Sequence, residues 1–144
     1  MNARRISPVE LGLSLELRDV WQLPALAPAH EGLGIHLLHL PTAISLNVRT
    51  LDTLMTAAEG TLREKFASYL AVSWPGAEVT ISAWEVGALA GLTAVMAKAM
   101  REAVVREWLV TNGRAFANAA TFATAAQWPA LLPDCESLVR SIRF

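Results

Sequence analysis

The sequence predicts an α+β fold built around an antiparallel β-sheet. Three observations support this prediction: two β-type runs joined by Asn112-Gly113, other segments that alternate with a period of two, and a segment of helical periodicity after Thr50. Asparagine and glycine both tolerate the positive φ angles that a two-residue type I′ turn requires, and this turn twists as antiparallel strands prefer. An antiparallel hairpin is therefore the strongest local signal in the chain.

The two-residue turn also predicts which residues of the hairpin pair with each other. The expected pairs are Thr111 with Arg114, Val110 with Ala115, Leu109 with Phe116, Trp108 with Ala117, Glu107 with Asn118 and Arg106 with Ala119. One face would then carry Trp108 and Val110 above Ala115, Ala117 and Ala119. Small side chains let another element approach closely, and tryptophan is a large apolar anchor. This face either receives the chain's own helix or binds a partner.

Alternation and a change of period predict the other elements. We expect strands at the alternating leucines between Leu11 and Leu17, at residues 34–40 and 42–50, and at residues 78–82. Apolar residues at spacings of three and four predict a helix over residues 52–71 that lays one face on the sheet and is capped by Thr50 or Asp52. Pro133 is expected as the first residue of a short C-terminal helix.

Residues 84–103 carry conflicting signals. Their content of Ala, Leu, Met, Lys and Glu favours a helix. However, alternate side chains between Leu92 and Met100 can line the two faces of a strand, and Gly87 and Gly91 weaken a helix at this point. We predict a strand over residues 92–100 that turns near Arg101-Glu102 into the hairpin.

Length and composition limit the function classes. The 144 residues match the commonest size of one domain, so a single domain over residues 1–144 is expected. The chain is 53% hydrophobic and 17% charged, whereas soluble domains average about 45–50% and about 25%. A second copy or a partner is therefore expected to cover apolar surface, unless the excess is mostly alanine.

The charge pattern and the single cysteine narrow the choice further. A net charge of −1 without a basic cluster beyond Arg4-Arg5 argues against nucleic-acid binding. The first 17 residues lack the apolar stretch of a signal peptide, and no apolar run reaches 18 residues, so no membrane insertion is predicted. One cysteine, Cys135, cannot form an internal disulfide, which agrees with a cytoplasmic location.

No motif predicts catalysis, a metal site or a cofactor. On a strand, His36 and His39 point to opposite faces and cannot chelate one ion, and His30 lies in the preceding loop. Exposed or locally bonded histidines are the expected alternative. The carboxylates of Asp134 and Glu136 would raise the pKa of the neighbouring Cys135 thiol, which argues for a structural cysteine. Nucleophile elbows, phosphate loops and dinucleotide fingerprints are missing from the sequence.

The order of these elements, the Val110-Thr111-Asn112-Gly113 turn and the tail from Leu138 to Phe144 resemble the PsbP/DcrB-like group. This group includes LpqN-like mycobacterial lipoproteins, the Ran-binding Mog protein and Eag-type chaperones of type VI secretion effectors. The resemblance covers residues 35–144. It implies an antiparallel sheet sandwiched by helices and no shared catalytic apparatus, and it transfers no site. The chain departs from the lipoproteins by lacking a signal peptide and a lipobox cysteine, and from the others by its alanine-rich hairpin.

We predict a non-enzymatic binding or adaptor protein, as a cytoplasmic chaperone for an apolar segment of a secreted or membrane-inserting client. The predicted partner-binding residues are Trp108, Val110, Ala115, Ala117 and Ala119. The alternative is a small enzyme or ligand-binding protein with a pocket between the helix at residues 52–71 and the sheet. That pocket would need converging polar groups, such as Arg49, Glu107 and Asn118.

The apolar excess predicts a homodimer in solution. Size-exclusion chromatography with light scattering should give the mass of two chains. A strict monomer at high protein concentration would remove the argument from covered apolar surface.

Overall fold

The computed structural model describes residues 3–8, 11–23, 34–51, 60–87, 89–97 and 103–144. These residues form nine strands and two helices. The strands are β1 (Ala3–Ile6), β2 (Leu15–Arg18), β3 (Trp21–Gln22), β4 (Gly34–His39), β5 (Ile44–Thr50), β6 (Glu78–Ala83), β7 (Ala90–Ala97), β8 (Ala103–Thr111) and β9 (Phe116–Thr124). The helices are α1 (Leu62–Ser73) and α2 (Trp128–Arg140).

Seven of these strands form one antiparallel sheet in the order β3-β4-β5-β9-β8-β7-β6. Strands β1 and β2 pair separately with each other. The C-terminal tail holds this small hairpin, because the backbones of Ser14 and Arg143 exchange hydrogen bonds of 2.7 and 2.8 Å. The antiparallel sheet predicted from the sequence is confirmed.

The two helices pack on opposite faces of the sheet. Along β8, Val105 and Leu109 belong to a buried cluster that includes Phe66 of α1. The intervening Trp108 belongs to a second cluster, which includes Leu131 of α2. Because successive strand residues point to opposite faces, this division separates the helices to either side. The predicted α+β architecture, a sheet sandwiched by helices, is confirmed.

The predicted pairing of the β8–β9 hairpin is wrong by two residues. Val110 pairs with Ala117 and Trp108 pairs with Ala119, in place of the predicted Ala115 and Ala117. A shift of two positions leaves every side chain on its predicted face, because side chains alternate with a period of two. Trp108 and Val110 therefore still share a face with Ala117 and Ala119, whereas Ala115 lies outside the strand.

The pairing shifts because the hairpin connection contains four residues, 112–115, and not two. Within the described residues Ala43 is the non-glycine residue with a positive φ, so Asn112 does not adopt the conformation that a type I′ turn needs. The Asn112 side-chain oxygen instead accepts hydrogen bonds from the backbone N–H groups of Arg114 at 2.9 Å and Ala115 at 2.8 Å. This side-chain-to-backbone bonding stabilises the longer turn.

Both helices begin at residues other than those predicted. Helix α1 begins at Leu62 behind a capping box, in which the Thr61 hydroxyl accepts from the Glu64 backbone N–H and the Glu64 carboxylate accepts from the Thr61 backbone N–H. A continuous helix over residues 52–71 is therefore wrong, and residues 52–59 lie outside the described part. Helix α2 begins at Trp128 with Pro129 in its first turn, so Pro133 lies inside it. Burial of its apolar side overrides the local proline signal.

The predictions for β4, β5 and β6 are confirmed, because these strands lie within one or two residues of the predicted ends. The strand predicted between Leu11 and Leu17 is confirmed only from Leu15 on, since β2 covers Leu15–Arg18, although all four alternating leucines are buried. Residues 90–97 form a strand, which resolves the conflict between helix and strand signals, whereas residues 98–102 lie outside the described part. Strand β1 was not predicted, because its charged residues show no apolar alternation.

Gly91 lies where a larger residue does not fit. A Cβ atom at this position would lie 2.5 Å from Val86 Cγ2 and 2.7 Å from the backbone oxygen of Trp84. Because the backbone oxygen cannot move without disturbing β6, we expect Gly91→Ala to lower the free energy of unfolding by about 1–3 kcal/mol. Urea denaturation measures this loss.

Gly34→Ala is the matched control. Its Cβ would come closest to the side-chain oxygen of Asn47, at 2.9 Å, and a side-chain end can rotate away. Equal losses for the two variants would contradict the steric explanation at Gly91.

Candidate functional site

The predicted partner-binding face lies inside the fold. Trp108 is 1% exposed, and Val110, Ala117 and Ala119 are also buried. The Trp108 ring lies 6.4 Å from the Trp128 ring of α2, centroid to centroid. The small alanine side chains therefore admit the chain's own α2, which was the alternative considered for this face.

This placement limits what the Trp108 face can do. A partner could contact it only after α2 moved away, and α2 is held by further contacts. The Trp128 indole N–H donates to the backbone oxygen of Val104 at 3.0 Å, and the Arg106 guanidinium lies 5.2 Å from the centroid of the Trp128 ring. Partner binding at Trp108 stays a prediction, and with α2 in place any accessible binding surface must lie elsewhere.

The opposite face, beneath α1, brings together the three polar residues that the ligand-binding alternative requires. The Arg49 Nε donates to Asn118 Oδ1 at 3.3 Å, and the Asn118 amide nitrogen donates to Glu107 Oε1 at 2.9 Å. Asn118 is fully buried, and Glu107 is 1% exposed. The three polar residues predicted for the pocket are therefore in contact across three neighbouring strands.

The Glu107 carboxylate has a donor on each oxygen. Its second oxygen accepts from the Trp74 indole N–H at 2.6 Å, so the carboxylate joins β8 to the residue that follows α1. Buried carboxylates are costly unless they are hydrogen-bonded, and these two bonds supply that stabilisation. In this arrangement the side chains of Glu107 and Asn118 form hydrogen bonds with each other and with other groups of the protein.

Two polar atoms near this cluster have no partner among the described residues. The Tyr69 hydroxyl is one, in a residue that is 6% exposed, and the Asn47 side-chain oxygen is the other. The Arg49 guanidinium carbon lies 5.5 Å from the centroid of the Tyr69 ring. Buried hydrogen-bonding groups without a protein partner are uncommon in native structures and are satisfied by water or by a bound group, so these two atoms are candidate contacts for either.

Beyond α1, this face of the sheet on strands β4, β5 and β9 is partly exposed: within the described residues His36, Ser45 and Phe122 are exposed, whereas Leu38, Asn47 and Ala120 are half-buried. Phe122 of β9 is 63% exposed, although β9 is the central strand of the sheet. We call this surface the open half-face. Strand pairing places on it His36, Leu38, Ser45, Asn47, Ala120 and Phe122.

Phe122 was missed in the sequence analysis, although a signal for it exists. Phe122 follows Asn118 by four residues on one strand, so the two side chains share a face. That α1 covers only part of this face depends on long-range packing, and the sequence pattern contains no sign of it.

His36 and His39, the two histidines among the described residues, do not share a site. His36 is exposed and His39 is buried, on opposite faces as predicted, and His30 lies outside the described residues. His39 Nδ1 lies 2.8 Å from Thr42 Oγ1, and its Nε2 lies 2.7 Å from Asp134 Oδ2 of α2. Within the described part of the chain, no three His, Cys, Asp or Glu side chains are grouped as metal ligands.

Cys135 is a buried thiol in α2. Burial raises its pKa strongly, and the neighbouring Asp134 and Glu136 carboxylates raise it further. The predicted direction of the shift is confirmed, with burial as its larger cause. The neutral thiol is a poor nucleophile and packs among the apolar side chains of the α2 side.

The arrangement of strands and helices is similar to that of two solved structures. Cyanobacterial PsbP (CyanoP) from Synechocystis sp. PCC 6803 superposes with a TM-score of 0.66 at 12% identity, over 98% of this chain and 91% of that one. The fold is PsbP-like. Protein PA94 of Pseudomonas aeruginosa, of unknown function, has a TM-score of 0.51 at 16% identity, over 98% of this chain and 96% of its own.

No family model and no curated protein matches the sequence of this chain. The identities of 12% and 16% to the two solved structures show a similar fold and no more.

Neither helix of the described residues is long and apolar enough to span a membrane.

We expect Glu107→Gln to destabilise the protein by about 1–3 kcal/mol. A glutamine has one side-chain oxygen, so it cannot accept from both the Trp74 indole and the Asn118 amide, and one buried donor loses its partner. Urea denaturation gives the difference, with the exposed Glu78→Gln as control. Equal effects of the two substitutions would show that the buried hydrogen bonds contribute nothing to stability.

Proposed function

We propose that this PsbP-like protein is a non-enzymatic binding protein that holds an apolar helix of a partner protein on the open half-face. The observation that carries the proposal is Phe122, which is 63% exposed on the central strand of a sheet. A large aromatic side chain on an interior strand normally packs beneath another element. Its exposure beside α1 marks a surface that is suited to receive a second element.

A helix suits this surface better than a strand. Strands β5 and β9 have neighbours on both sides, and among the described residues β4 lacks a partner only along residues 34–37, which β3 does not reach, so this surface offers little free edge to an extended segment. A helix satisfies its own backbone hydrogen bonds and needs only side-chain contact. Three strands spaced by about 4.8 Å present a width of about 10 Å, close to the diameter of one helix.

The composition supports the same proposal. A chain with 53% hydrophobic and 17% charged residues has little polar surface, which favours a bound partner. We therefore propose a chaperone or adaptor for an apolar segment of a secreted or membrane-inserting client. The cytoplasmic location and the homodimer are carried as parts of this proposal.

A second candidate is a small-molecule-binding protein or small enzyme, favoured by the contacts between Arg49, Asn118 and Glu107. Against it, both Glu107 oxygens and the Asn118 amide are occupied by protein partners. Two clefts that lie next to the N-terminal strands include none of these three residues. The helix-binding proposal is therefore preferred.

The test uses a fluorescein-labelled synthetic helix of 22 alternating Leu and Ala residues with two lysines at each end, in fluorescence anisotropy. We expect the wild-type protein to bind this peptide and Phe122→Ser to weaken binding at least tenfold, because the substitution removes the aromatic anchor. Val72→Ser is the matched control. Val72 is 74% exposed on α1, so the substitution removes an apolar side chain of the surface without touching the sheet.

Three outcomes would overturn the proposal. The first is the absence of peptide binding to the wild-type protein, and the second is equal weakening by Phe122→Ser and Val72→Ser. The third is a dimer that dissociates with Phe122→Ser but not with Val72→Ser, because a second copy would then occupy the open half-face.

A further inference from the structure

We infer that the partner helix carries an acidic side chain that pairs with Arg49. This inference rests on the proposed function and adds the chemistry of the bound segment. Arg49 lies on β5, on the same sheet face as Phe122, at the border between the open half-face and the polar cluster beneath α1. The Arg49 guanidinium places a positive charge at this border.

Arg49 has few partners for a half-buried cation. Its Nε donates to the neutral Asn118 amide oxygen at 3.3 Å, and its guanidinium carbon lies 5.5 Å from the Tyr69 ring centroid. The ion pairs among the described residues are Arg5 with Glu16 and His39 with Asp134, so none of the described carboxylates lies within 4.0 Å of Arg49. A guanidinium that is partly removed from water gains most from a carboxylate.

The protein's own nearby carboxylate does not fill this role. Glu107 bonds to the Trp74 indole and to the Asn118 amide nitrogen, and Asn118 separates it from Arg49. Because these bonds use both Glu107 oxygens, Glu107 stabilises α1 and does not pair with the Arg49 guanidinium.

The Tyr69 hydroxyl is a second, independent observation. It is buried, it has no hydrogen-bond partner among the described residues, and its ring lies against Arg49. The Tyr69 hydroxyl oxygen is closed to solvent in this conformation, so a carboxylate that accepts from both the hydroxyl and the guanidinium requires the Tyr69 side chain to turn outward. An amide or hydroxyl on the partner would leave the positive charge uncompensated, which favours an acid.

The sheet geometry sets the spacing of this acid on the partner helix. Arg49 pairs with Asn118, which precedes Phe122 by four residues on β9. At about 3.3 Å per residue this is about 13 Å along the strand. Two to three turns of helix, at about 5.4 Å per turn, span the same distance. The acidic residue is therefore expected two to three turns from the side chain that packs on Phe122.

The experiment compares two forms of the 22-residue Leu-Ala probe, with Glu or Gln at its central position. We expect the wild-type protein to bind the Glu form at least fivefold more tightly than the Gln form. Arg49→Gln should abolish this preference, and Tyr69→Phe, which removes only the hydroxyl, should reduce it. Arg114→Gln, which removes an exposed cation of the β8–β9 connection, should leave it unchanged.

Equal binding of the two probes to the wild-type protein overturns the inference and leaves the proposed function standing. Binding of neither probe overturns the proposed function itself. A preference that persists in Arg49→Gln also overturns the inference, because another cation would then select the acid. If Arg49→Gln does not fold, the inference is tested by the binding of the two probes to the wild-type protein and to Tyr69→Phe. A preference for the Glu probe that is unchanged in Tyr69→Phe counts against the inference.

Discussion

The rest of the structure depends on the burial of β8 on both of its faces. Trp108 points toward α2, and its neighbours Glu107 and Leu109 point toward α1, so one strand organises both layers. Because side chains alternate strictly along a strand, a shift of one residue would exchange these environments and bury Glu107 beneath α2. The fold therefore strongly selects which face of the sheet each side chain of the hairpin occupies. The observed shift of two residues keeps every side chain on its predicted face.

One polar contact on each face complements this apolar packing. On one side the Trp74 indole binds Glu107, and on the other the Asp134 carboxylate binds His39 across 95 residues of sequence. Buried polar groups are costly when unpaired, so each contact favours one position of its helix over others with similar apolar burial. Helix α1 in turn packs over only part of this sheet face, and among the described residues Phe122 of β9 stays exposed.

The candidate site was partly predictable. Arg49, Asn118 and Glu107 were predicted together as the polar groups that a pocket between helix and sheet would need, and the fold brings them into contact. Phe122 shares the face of Asn118 by strand parity, but its exposure depends on where α1 ends. No local pattern contains that information, because α1 and β9 are separated by more than 40 residues of the chain.

The sequence by itself determined the antiparallel sheet, its main strands and the face on which each side chain of β8 and β9 lies. These features follow from local alternation, which the chain carries in each short segment. Only the tertiary structure decided the four-residue hairpin connection, the starts of α1 and α2 and the use of the Trp108 face by α2. For these features, side-chain capping and the burial of whole elements compete with local sequence signals. Contacts between segments that are distant in the sequence then decide which conformation forms.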